Sequence, residues 1–305
     1  VEKLSDKSSS SENSGAPMRS KPDDDGHKNR LKTGLYLVAT PIGNLQDLSL
    51  RAHEILSNAD IIACEDTRVT GKLLSRHAID TSMKAYHEHN AEHARPALMK
   101  ILSEGGAIAL VSDAGTPAIS DPGYRLVQDC IERSFDVTSA PGANAAITGL
   151  ILSGLPTDRF LFAGFLPSKS GQRCKELAEL AGVPATLIFY ESAKRLAASL
   201  SDMAEQLGDR PAAVTRELTK LHEEIRRGSL AELAAHYREA GAPKGEIVVV
   251  IGRPLKAAAL SDEELDILIS EGLKDKSLRD VAAKLAEETG LPKRQIYARA
   301  LKISK

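Results

Sequence analysis

The stretch Ser112-Asp113-Ala114-Gly115-Thr116-Pro117-Ala118-Ile119-Ser120-Asp121-Pro122-Gly123 directly follows the apolar run Ala107 to Val111. The apolar run reads as a buried strand, so the loop sits at that strand's C-terminal mouth. A loop this rich in Gly, Pro and Asp exposes backbone amides and a carboxylate and does not fill a core. In open α/β sheets that rim is where ligands bind. The loop leads into a helix whose first turn is expected at Pro122-Gly123-Tyr124. A helix start offers unpaired N–H groups and the positive end of a dipole.

The pattern around this loop repeats the logic. Strands are expected at Leu35–Thr40, Ile61–Cys64, Ala107–Val111 and Val137–Ser139, with helical patterns between them such as Leu48–Asn58 and Ala91–Glu104. Alternating strands and helices imply a largely parallel sheet. A second set follows: strands at Phe160–Phe165, Thr186–Tyr190, Ala212–Thr215 and Ile247–Ile251, bracketing helices at Lys194–Leu207 and Leu230–Glu239. The turn-rich segment Leu152 to Thr157 divides the two sets. At 305 residues the chain exceeds one ordinary core. The organisation expected is a disordered tail over 1–33, an N-terminal α/β domain over 34–152 and a C-terminal α/β domain over 153–258. A helical module over 259–305 completes it. The tail is Ser- and Asp-rich with few large apolar residues, too little to offset its ordering entropy. It also lacks the apolar stretch of a signal peptide.

Composition excludes several classes. Lys+Arg of 40 against Asp+Glu of 42 leaves a net charge of −2, so any nucleic-acid surface must be local. Cys64, Cys130 and Cys174 lie far apart and fit neither a metal spacing nor a disulfide framework, which points to a reducing cytoplasm. No apolar run has the length of a membrane span. In the last module, Gly290 is placed to end one helix and Pro292 to start the next. From Lys293 onward there are five basic residues (Lys293, Arg294, Arg299, Lys302, Lys305) and no acid. This reads either as a solvated charged face or as a contact for RNA phosphates.

Candidate chemistry gathers at the strand ends. Thr40 to Asp47 follows the first strand and matches neither G-x-G-x-x-G nor a P-loop. Its plain structural role is a tight turn, with Asn44 or Asp47 capping a helix. Glu65-Asp66-Thr67-Arg68 follows the second strand, and there too Asp66 or Thr67 can cap. Pro141 to Ala146 is a run of small residues suited to close approach by a flat ligand or to tight packing. His87-Glu88-His89-Asn90 with His93 lacks a metal-ligand spacing, and a metal-free polar loop is expected. In the second half Phe189 to Ser192, Thr215 to Lys220 and Lys244 to Glu246 each adjoin an apolar strand. Together these loops argue for a ligand site between two domains.

In order, T-P-I-G-N-L, E-D-T-R, the twelve-residue run, F-Y-E-S, R-E-L-T-K and K-G-E closely resemble the ribosomal RNA small subunit methyltransferase I family. That family is a branch of the tetrapyrrole (corrin/porphyrin) methylase superfamily. The resemblance covers roughly Leu35 to Gly252, and the helical tail has a family counterpart. It implies a two-domain, tetrapyrrole-methylase-like α/β fold and a homodimer that uses S-adenosylmethionine. The implied reaction is 2′-O-methylation of a cytidine in the decoding region of 16S ribosomal RNA, with that RNA expected within the small ribosomal subunit. Carried over by position, Ile42, Gly43, Asp113, Gly115, Asn144, Ala145, Tyr190 and Gly245 would hold the cofactor. Glu65, Asp66 and Glu191 are the carboxylates to test as general base, and Arg68, Arg216 and Lys220 the RNA contacts. The superfamily's glycine-rich first loop is reduced here to a single Gly43, which counts against a tetrapyrrole substrate. A tetrapyrrole methylase and a non-catalytic RNA-binding scaffold are the competing readings.

Overall fold

The computed structural model describes residues 30–120, 122–254, 262–289 and 291–303. Most of the expected tail, together with Asp121, Gly290 and Lys305, lies outside the described residues.

The first half runs β1 (Gly34–Val38), α1 (Leu50–Asn58), β2 (Ile61–Cys64), α2 (Thr67–Arg76), β3 (Met83–Ala85), α3 (Ala91–Ser103), β4 (Ala107–Val111), α4 (Tyr124–Glu132), β5 (Val137–Ala140) and α5 (Ala145–Ser153). Its sheet has the order β3-β2-β4-β1-β5, and every pair in it is parallel. β4 is buried along its whole length, as a central parallel strand covered on both faces must be. Ala109 and Val111 pack with Ile55, Leu56 and Leu74 on one side. Ile108 and Leu110 pack with Leu98, Leu102 and Leu126 on the other.

That division of faces creates the opening. β1 leads to α1 on the first face, whereas its neighbour β4 leads to α4 on the second. The two connections part, and a crevice forms between the C-terminal ends of β1 and β4. The loops leaving those ends are tied by a two-way bridge, Thr40 N–H to Gly115 O at 2.9 Å and Gly115 N–H to Thr40 O at 3.0 Å. α4 begins at Tyr124, with Gly123 as its cap. The first turn expected at Pro122 therefore starts later, because Gly123 adopts φ +143°, far from helical backbone.

The second half runs β6 (Phe160–Phe165), α6 (Ser170–Leu180), β7 (Thr186–Ser192), α7 (Leu196–Leu207), β8 (Pro211–Arg216), β9 (Glu224–Ser229), α8 (Leu230–Ala240) and β10 (Glu246–Ile251). Its sheet, β6-β7-β10-β8-β9, is mixed. Only β6 and β7 are parallel, and the other three pairs are antiparallel. α7 and α8 cover one face around Phe189, Val214 and Val249. The other face, carrying Ile188, Val248 and Val250, is covered by Ala146 and Leu150 of α5 and by Ile42 from the loop after β1. The two halves are thus interlocked: a helix and a loop from the first pack under the sheet of the second.

The last three helices, α9 (Asp262–Gly272), α10 (Leu278–Thr289) and α11 (Lys293–Ile303), close around Leu265, Ile269, Val281, Leu285 and Ile296. Arg299, one of the basic residues of α11, is turned inward onto Asp262 and Asp266 and so ties α11 to α9.

Candidate active site

The crevice at the β1/β4 ends opens into a cavity of about 510 Å³ whose other wall is the second sheet. Asp113, Gly115 and Thr116 line it from the twelve-residue run. Tyr190 of β7, Val248 of β10 and Gly245, just before β10, line it from the second sheet. Ile42, Ala145 and Leu218 supply apolar surface where the halves meet. The volume and the apolar lining with few polar groups are typical of a small-molecule site.

Two glycines shape the walls. Gly115 has φ +82°, and a Cβ there would point at Ile42 Cγ2 and the Ala143 carbonyl, 3.3 and 3.7 Å away. Gly245 has φ +102°, and a Cβ would lie 2.3 Å from Glu217 Oε1. That carboxylate is pinned by Lys220 Nζ at 2.8 Å and the Glu246 N–H at 3.1 Å, so it has no room to yield. Both positions need a residue free to adopt positive φ.

Electrostatics single out two carboxylates. Glu65 and Asp113 line the same cavity. Burial, reinforced by the Asp113 charge, pushes the Glu65 carboxyl up from its ordinary value; the Asp113 N–H and the His87 ring pull it partly back. Burial also pushes Asp113 up, although its Oδ1 accepts the Asp66 N–H at 3.0 Å. The loops after β2 and β4 therefore hold each other, each presenting a backbone amide to the other's carboxylate. Two acids at one edge of the cavity, with pKa values raised by partial burial and by nearby carboxylates, mark a site for chemistry.

Of the residues singled out in the sequence, Ile42, Glu65, Asp113, Gly115, Ala145, Tyr190, Glu191 and Gly245 line this cavity. The others stand outside it. Gly43 lies against Thr219 and Lys220. Asn144 caps α5, accepting the Ile147 N–H at 3.1 Å. Asp66 caps α2 and forms a two-pronged pair with Arg68, which holds its carboxyl down at about 2. Glu191 contributes to the wall, but its carboxylate has no solvent exposure. It accepts from the Ser192 N–H (2.6 Å), Arg195 Nε (2.8 Å) and Ser199 Oγ (2.5 Å). Arg216 is held by Glu224 at 2.9 Å and by the Lys244 carbonyl, and Lys220 by Glu217 and Glu246. Arg68 alone of the three expected RNA contacts keeps an open side chain, 87% exposed. Sequence reasoning passed over Phe165 and Val248, apolar residues that resemble core until the second sheet faces the crevice. Among the described residues no cluster of three or more His, Cys, Asp or Glu could hold a metal ion. None of the described helices is long and apolar enough to cross a membrane.

The family described as Tetrapyrrole (Corrin/Porphyrin) Methylases matches residues 34–234, and the RsmI C-terminal HTH domain matches residues 255–304. Ribosomal RNA small subunit methyltransferase I of Mesorhizobium japonicum is 52% identical over 274 residues, covering 90% of this chain and 93% of that protein. The chain belongs to the ribosomal RNA small subunit methyltransferase I family. The Erythrobacter litoralis member is 53% identical over 273 residues, covering 90% of this chain and 96% of its own. Outside the methyltransferase I family, the uroporphyrin-III C-methyltransferase of Thermus thermophilus, solved with S-adenyl homocysteine, shares the fold. Its TM-score is 0.51 at 20% identity over 72% of this chain and 97% of that one.

Proposed function

We propose that this chain methylates the 2′-hydroxyl of a cytidine ribose in the decoding region of 16S ribosomal RNA, within the small subunit. At the coarser level it is an S-adenosylmethionine-dependent ribosomal RNA methyltransferase, as its family membership states. The observation that carries the finer reading is Glu65, a carboxylate at the cavity edge with its pKa raised by burial. A ribose hydroxyl, unlike an activated carbon of a tetrapyrrole ring, gives up its proton only to a base placed beside it.

The cavity fits the cofactor. Gly115 and Gly245, where a Cβ would press on Ile42 and Glu217, bring bare backbone to the cavity wall. Asp113 offers a carboxylate to an ammonium or sulfonium cation, and Ile42, Leu218 and Val248 offer apolar surface to a purine. S-adenosylmethionine supplies a methyl group already activated on sulfur. Glu65 would accept the proton of the ribose hydroxyl whose oxygen takes up the methyl group the cofactor would supply. Asp113 and the bridged loops keep acceptor and donor in line, which is the larger share of the work in such a displacement. Of the other candidate bases, Asp66 is committed to the α2 cap and Glu191 to Arg195, so we assign both to structure. We likewise assign Arg216 and Lys220 to the ion pairs that shape the second wall.

Transfer of labelled methyl from S-adenosylmethionine to small subunits lacking the modification tests this reading, with nuclease mapping of the product. A single 2′-O-methylcytidine supports it. Label on a base, on a tetrapyrrole only, or in no RNA overturns it.

Two features bear on assembly and docking. α5 is apolar on nearly every face. Ala146 and Leu150 are buried under the second sheet, while Ile147 and Ile151, one turn apart, remain 42% and 64% exposed. A helix apolar all round belongs in an interior, and we assign the outer stripe to a homodimer contact. Ile151→Asp is expected to yield monomers in sedimentation; an unchanged dimer would place the contact elsewhere. On α11, Lys293, Arg294 and Lys302 face solvent beside Tyr297, and we assign this face to RNA. Deleting residues 259–305 is expected to weaken small-subunit binding by at least about tenfold, the scale of one or two lost phosphate contacts. Binding of S-adenosylhomocysteine, read by calorimetry, stays as it was. Equal subunit binding without the module rules out that assignment.

A further inference from the structure

A second cavity, of about 750 Å³, adjoins the first, and Glu65 and Ser120 line both. One wall is the loop after β3, from Tyr86 to His89; the opposite wall is the start of α4, with Tyr124 and Arg125. Tyr124 is 66% exposed, so its ring stands at the rim and contributes little to the core. His87 Nδ1 is buried and has no hydrogen-bond partner among the described residues. A buried polar nitrogen left this way calls for a ligand to complete it.

We propose that this second cleft receives the acceptor nucleotide turned out of its strand, the base stacked on Tyr124 and the ribose set against Glu65. The proposal rests on the ribose-methylation reading above and adds where the acceptor lies. The acceptor oxygen has to meet the methyl donor and the base at once, and the border shared by the two cavities is at Glu65. Single-stranded RNA is recognised by splaying bases out and stacking them on aromatic rings. The cleft also carries Glu88, His89 and Glu92. A carboxylate accepts the exocyclic amino group of cytosine and repels the carbonyl that uracil carries there. The N3 and O2 atoms of that edge only accept, and an imidazole N–H can donate to them. Arg125, in a loose 3.9 Å pair with Glu92 on an exposed rim, is free to turn toward a phosphate.

The test compares full-length wild type, Tyr124→Ala and Tyr124→Phe, all saturated with S-adenosylhomocysteine, for binding to unmodified small subunits without turnover. Tyr124→Ala is expected to weaken binding by about tenfold or more, the loss of one stacked base. Its affinity for S-adenosylhomocysteine remains that of the wild type, and Tyr124→Phe, which keeps the ring, restores subunit binding. The proposal is overturned if Tyr124→Ala binds subunits as tightly as wild type. It is equally overturned if the variant loses cofactor affinity in step, or if the phenylalanine fails to rescue. The ribose reading stands or falls separately on product mapping with the wild type. Methyl found on a base would sink that reading and leave the binding comparison fully interpretable.

Discussion

Glu65→Gln lowers kcat for methyl transfer by about 10²–10⁴-fold, the range of a lost general base, while S-adenosylhomocysteine binds as before. Glutamine keeps the shape of the side chain and can still accept from the Asp113 N–H, so the loop after β2 stays in place. The same substitution stabilises the fold at neutral pH. Burial and the Asp113 charge raise the Glu65 pKa, so the native state disfavours the ionised form more than the unfolded chain does. The contribution of such a group is fully present below the unfolded value of about 4.3 and is lost as pH rises through the higher native value. Glutamine does not ionise and escapes that loss. The variant's Tm therefore exceeds wild type at pH 7, and the gap closes below about pH 4. In the wild type the acid limb of the kcat/KM profile lies above that of an ordinary carboxylate. Full turnover by the variant, or a Tm below wild type at pH 7, removes Glu65 from the mechanism.

Glu191→Ala acts through the fold instead. Its carboxylate is wholly buried and takes bonds from Arg195, Ser192 and Ser199. Deleting it strands a guanidinium that is itself only 27% exposed. Breaking a buried pair from one side costs about 3–5 kcal/mol, which denaturant titration reads directly. Cofactor affinity and turnover fall only as the folded fraction falls. A variant that keeps its denaturation midpoint while losing turnover would instead make Glu191 part of the chemistry.

The difference between these two carboxylates was not legible in the sequence. Both follow an apolar strand and sit beside a polar cluster. What separates them is the approach to α7, which brings Arg195 and Ser199 back over Glu191 one and two turns on; among the described residues nothing comparable closes over Glu65. The same holds for Arg216 and Lys220, whose acidic partners Glu224 and Glu246 come from strands that periodicity did not pair with them. The rim itself was legible, because Gly, Pro and Asp immediately after an apolar run cannot belong to a core. The inner strands were legible for the complementary reason. β3 and β9 were not: all four edge strands pair on one side only, but β5 and β6 keep an apolar signal, whereas β3 is three residues long and β9 carries Glu224, Arg226 and Arg227. Edge strands are kept short and charged to resist unwanted pairing, and this erases the apolar signal. The antiparallel pairs of the second sheet were hidden because helices intervene between most of its strands, as they do in the parallel one.

The seating of α5 also sets a timetable for synthesis. The helix is complete at Ser153, yet β10, which carries Val248 and Val250 of its bed, begins only at Glu246. A ribosome adding about 5–20 residues per second takes several seconds to deliver that strand. During that interval the first sheet can close, but its last helix has neither its own sheet to lie on nor a finished neighbour. A nascent chain of this protein therefore exposes its greasiest helix longest, and it is there that a chaperone, or a premature partner chain, would first take hold.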